Sequence, residues 1–161
     1  MKQECFLFLT IFSTIYDTTM VIMDTNILLS ALRSSRGASF LFIEKVFKKE
    51  IQIAISVPLI LEYEMVLNRH SNESIPFSSK EIKQLINGLC KVGIEKEIKY
   101  LWRPFFKDSK DDMVLELAIA TNSAPIITFN KKDFKQANNT FGIDILNPLE
   151  YLKIKELLWV H

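Results

Sequence analysis

Short apolar runs alternate with helix-period segments along most of this chain, and that alternation leaves few architectures open. Val21-Ile22-Met23 leads into a helical pattern over 27–32, and IQIAIS (51–56) into another over 59–69. Residues 125–129 and 143–146 read as two later strands, the second followed by a helix that Pro148 opens. Residues 38–49, 79–91 and a stretch beginning at Asp108 carry helical periodicity between them. The least regular segment, IEKEIKYLW, is assigned a strand near 98–101. Repeated βα units of this kind predict a parallel sheet with helices on both faces.

In such a sheet, ligands bind beyond the C-terminal tips of the strands. Asp24 stands at the tip of the first, in VIMDTNILLSAL. An acid there is commonly a helix N-cap, so its importance depends on partners. Glu62 and Glu64 flank the apolar stripe of the helix leaving the second strand, and periodicity does not choose between them. Asp111 and Asp112 lie in the first turn of the helix that feeds the fourth strand, where the helix dipole alone would explain either. Asn130 and Asp133 follow the fourth strand.

Length and composition bound the rest. At 161 residues the chain is expected to be one soluble domain with a real core. A net charge of +1 argues against coating nucleic acid through bulk charge. Cys5 and Cys90 have no metal-type spacing, which suits a reducing cytoplasm. CFLFLTIF near the start is too short to span a bilayer and lacks a small-x-small cleavage site. Residues 1–19 are therefore read as an extension and 20–161 as the folded domain, with no membrane partner.

Several carboxylates around one cleft raise each other's pKa unless a counter-charge is present. The donors are all oxygen, which selects Mg²⁺ or Mn²⁺ over Zn²⁺. A metal held this way suits attack of activated water on a phosphodiester. Basic residues at the rim would then hold RNA, and the candidates are Arg33, Arg36, Lys131 and Lys132.

Three motifs, MVIMDTNILLSAL, ISVPLILEYEMVL and DDMVLELAIATNSAPIITFNKKDF, occur in this order and spacing. Together they resemble the PIN domain, specifically the VapC-like toxins of toxin–antitoxin systems, from Met20 to about Leu152. The resemblance implies a three-layer α/β/α sandwich with a central, mostly parallel sheet of about five strands. It implies a metal-dependent endoribonuclease, a cognate antitoxin that occludes the cleft, and a homodimer.

Residue by residue, the resemblance assigns Asp24, Glu62, Asp112 and Asp133 to catalysis, selecting Glu62 over Glu64. The same four with Asn130 are the expected metal ligands, and Asn26, Thr128 and Asp111 the supporting neighbours. Asn130 stands where the family often has an acid, so either it or Asp133 completes the site. That amide favours the alternative reading, a non-cleaving PIN-fold module that binds protein or RNA. A phosphoacceptor receiver-like domain ranks lower, since the second strand ends in Ser56 where that fold needs an Asp.

Overall fold

The computed structural model describes residues 20–155; the extension assigned to 1–19 lies outside the described residues. Five short strands are all parallel: β1 (Ile22–Met23), β2 (Ala54–Ile55), β3 (Ile94–Glu95), β4 (Ile126–Ile127) and β5 (Ile145–Leu146). Three form a sheet in the order β1-β4-β5, and β2 pairs with β3. A parallel bridge between Val21 and Ile53 joins the two sets into the spatial order β3-β2-β1-β4-β5. The chain thus builds outward from β1 on one side and then crosses to the other. The switch point lies between β1 and β4, where this class of sheet opens a crevice.

Seven helices among the described residues complete an α/β/α architecture: α1 (Thr25–Arg33), α2 (Ala38–Phe47), α3 (Val57–His70), α4 (Ser79–Val92), α5 (Ser109–Ala120), α6 (Lys135–Phe141) and α7 (Pro148–Ile154). Successive strand residues point to opposite faces. Ile22 and Met23 of β1, and Ile126 and Ile127 of β4, are all fully buried, so both faces of the central strands are covered. Helix α5 packs directly on β1 and β4, and Val114, Leu115, Glu116, Leu117 and Ala118 are consecutively buried. Burial around its whole circumference makes it the central helix of the fold.

Local chemistry sets the element ends. Ser78 and Glu81 form a capping box at the start of α4, and Asn147 and Glu150 form one at α7, where Pro148 occupies the first turn. Helix α6 ends at Gly142, whose φ of 65° suits glycine.

The third strand falls at Ile94–Glu95 rather than near 98–101. The chain enters it directly from α4 through Gly93, where a Cβ would come within 2.9 Å of the Ile55 side chain and the Leu89 carbonyl. That close approach brings Ile94 N–H to the Ile53 carbonyl at 2.9 Å, so pairing begins at once. No helix of the described residues is long and apolar enough to cross a membrane.

Candidate active site at the switch point

Asp24 follows β1 and occupies the N-cap position of α1, but it makes no capping hydrogen bond. Its Oδ2 accepts instead from the Asn26 amide at 2.7 Å and the Thr128 hydroxyl at 2.6 Å. Asn26 also donates to Thr128 Oγ1 at 3.1 Å and accepts from Phe129 N–H at 3.3 Å, and Asn130 N–H donates to Thr128 Oγ1 at 3.0 Å. The network ties the tips of β1 and β4 across the switch point and fixes the carboxylate. Burial pushes the Asp24 carboxyl above its ordinary range; the Thr128 hydroxyl and the Thr25 and Asn26 N–H groups oppose this, and the Glu62 charge adds to it.

Glu62 is buried on α3, while Glu64 is only half-buried. Lys110 Nζ reaches Glu62 Oε1 at 3.1 Å. This lysine comes from the first turn of α5, so one ion pair joins two of the elements that frame the cleft.

The first turn of α5 divides its acids. Asp108 caps the helix, accepting from Lys110 N–H at 3.0 Å. Asp111 lines a cavity of about 760 Å³ with Asp108, Asn130, Asp133, Phe106, Lys107, Ser109 and Gln136. Burial first, and then the charges of Asp24, Asp108, Asp133 and Asp112, push its carboxyl up to about 6. Asp112 is fully buried, and its Oδ1 accepts from the N–H groups of Phe105 at 3.2 Å and Phe106 at 2.9 Å. Its Oδ2 is buried without a hydrogen-bond partner.

Asp111, Asn130 and Asp133 thus line one cavity, Asp24 lies near enough for its charge to act on Asp111 and that of Glu62 to act on Asp24 in turn, and Asp112 sits beside Asp111 with one oxygen committed to the 105–106 backbone. None of the four basic candidates lines that cavity. Arg33 contacts Ser74 at 3.2 Å, Arg36 and Lys132 are exposed, and Lys131 pairs with Glu150 at 2.8 Å. Lys131 and Lys132 also line a separate recess. Sequence reasoning misses Lys110, although its place two residues before Asp112 in a helix's first turn is a usable signal.

The donor set fits a hard, hydrated cation. Every group is an oxygen donor, the carboxylates repel one another, and the unpartnered buried Asp112 Oδ2 is an acceptor that a cation or its water would satisfy. Among the described residues no three acidic, His or Cys side chains converge enough to hold an ion by direct contact. Mg²⁺ commonly keeps several waters and takes only one or two carboxylates directly, so that spacing is compatible with it.

A comparison with known protein families matches the PIN domain over residues 20–132, from the start of the described fold to the residue before Asp133. No curated protein matches the sequence. PIN domains are generally nucleases and usually use divalent metals. The match covers well over half of the sequence, and the chain belongs to the PIN-domain family.

Proposed function

We propose that this chain is a Mg²⁺- or Mn²⁺-dependent endoribonuclease of the cytoplasm, the toxin of a toxin–antitoxin pair. The observation that carries this reading is Asp24, held by Asn26 and Thr128 at the switch point, with the charge of Glu62 acting on it and its own charge acting on Asp111, which lines an acidic cavity with Asp133. The resemblance of three ordered motifs to VapC-like proteins supports RNA as the substrate. Asp24 and Glu62 would hold the metal, with Asp111 or Asp112, Asp133 and Asn130 contributing directly or through water. When bound, it supplies an activated water for in-line attack on a phosphodiester.

The chain's own residues do the rest. Asn26 and Thr128 orient the Asp24 carboxylate, as outer partners of metal ligands do. Arg33, Arg36 and Lys132 would meet phosphates at the rim. A cognate antitoxin would occlude the cleft, and a homodimer is the expected assembly.

The test is cleavage of single-stranded RNA with Mn²⁺ or Mg²⁺, wild type against Asp24→Asn. Loss of cleavage in the variant supports the proposal; equal activity overturns it. Asn130 favours a second reading, a PIN fold that binds without cutting, because an amide adds no charge to the metal site. Absence of binding at millimolar Mn²⁺ would decide for that module.

A further inference from the structure

Residues 96–107, KEIKYLWRPFFK, interleave four aromatic rings with four cations and form neither helix nor strand before α5 begins. Tyr100 is 67% exposed and Trp102 37%, although rings this large normally supply core. They touch edge to face at 4.9 Å between centroids. Contacts then run inward from Trp102 to Phe141 at 5.0 Å, Phe141 to Phe105 at 5.5 Å and Phe105 to Phe106 at 4.9 Å. Phe106 is a wall of the carboxylate cavity, so a continuous aromatic track joins the surface pair to the candidate active site.

The backbone of this segment is fixed. Glu116 accepts from Trp102 N–H at 3.0 Å and holds the Arg103 guanidinium at 3.0 and 2.6 Å, while Asp112 takes the Phe105 and Phe106 N–H groups. Beside the two rings lies a recess of about 270 Å³ that Lys99 also lines; of its two acids, Glu116 is neutralised by Arg103 and Glu97 is exposed.

We propose that Tyr100 and Trp102 form a stacking platform for unpaired bases of the nucleic acid strand whose backbone crosses the acidic cavity. The proposal rests on the nuclease reading of that cavity. Aromatic faces beside exposed lysines bind single strands regardless of sequence, because every base offers a π-face and every linkage a phosphate. A duplex keeps its base faces covered. Continuity with the cavity favours a strand, whose bases and backbone engage the two places together.

Titrating decauridylate RNA in EDTA, where no cleavage occurs, tests the platform in a Trp159→Phe background that leaves Trp102 the only tryptophan. The expected result is saturable quenching of Trp102 emission, with none from a duplex of equal length. Tyr100→Ala, an exposed site, should weaken decauridylate binding roughly tenfold while leaving inorganic polyphosphate binding and the melting temperature unchanged. Trp102→Leu should act in the same direction. Wild-type affinity in both variants overturns the proposal, as does Trp102 emission that depends on protein concentration without RNA, which would give the face to a second copy. Tyr100-dependent binding without Mn²⁺-dependent cleavage supports the platform and counts against the nuclease; cleavage with Tyr100-independent binding overturns the platform alone.

Discussion

Asp112 and Glu116 sit one turn apart on α5, and both hold the same irregular segment. Asp112 takes the N–H groups of Phe105 and Phe106, and Glu116 takes that of Trp102 with the Arg103 side chain. Asp112 therefore has a structural task independent of any metal. Replacing it with Ala leaves two part-buried N–H groups unpaired, at a cost of about 1–3 kcal/mol. Urea unfolding should show a lower midpoint for Asp112→Ala and no loss for Asp111→Ala, which removes only a repelled charge. Equal midpoints for the two variants would refute this division.

Thr128 donates to Asp24 Oδ2 and accepts from Asn130 N–H, so it supports the carboxylate and shapes the turn after β4. Thr128→Val keeps the shape and removes both of these bonds together with the one donated by the Asn26 amide. Outer-partner losses of this kind typically cost roughly 10–100-fold in metal affinity. Calorimetric titration with Mn²⁺ should place Thr128→Val about tenfold weaker than wild type. Unchanged affinity would mean that Asn26 alone orients Asp24.

The order of elements is legible because apolar runs and capping residues act locally, and Pro148 and Asp108 mark helix starts as the sequence suggests. Strand β3 is misplaced by sequence reasoning because the tight passage at Gly93 depends on contact with Ile55, which no local pattern encodes. Helix α6, KQANNTF, buries only Ala137 and so carries no apolar period to find. For the site, the sequence indicates acids near strand tips but not which way they face. Asp111 and Asp112 are adjacent, yet a step of about 100° around the helix sends one to the cavity and the other to the 105–106 backbone. Lys110 escapes notice for the same reason, since its partner Glu62 lies on another helix.

The Lys110–Glu62 pair gives the buried carboxylate a counter-charge in the metal-free chain. Because the Lys110 side chain is close to half exposed and so screened by solvent, the pair contributes no more than about 1 kcal/mol to stability. A cation arriving at Glu62 must compete with the ammonium. Lys110→Gln should therefore slightly lower the melting temperature without metal and tighten Mn²⁺ binding several-fold, both read by thermal shift across a Mn²⁺ series. Weaker Mn²⁺ binding in the variant would show that Lys110 assists the site instead of competing for it.

Asp111 sets a pH dependence whose sign can be worked out. Burial and neighbouring carboxylates raise its folded pKa from 3.8 to about 6, and Asp24 is raised as well, chiefly by burial. Between those values the folded chain holds more protons than the unfolded one, so this contribution to stability is present at low pH and is lost as pH rises toward 6. Glu81 and Glu150, lowered by hydrogen bonds or an ion pair, act oppositely and lose their contribution as pH falls below the ordinary carboxylate range. Comparison with Asp111→Asn isolates the first effect: wild type should lose stability relative to the variant between pH 4 and 6 and run parallel to it above. Metal binding needs the ionised carboxylate, so Mn²⁺ affinity should climb up to about pH 6 and then level, with proton release on binding below that point. Titration calorimetry in two buffers of different ionisation enthalpy measures that release directly. An affinity constant across pH 5 to 7.5 would place Asp111 outside the metal's reach.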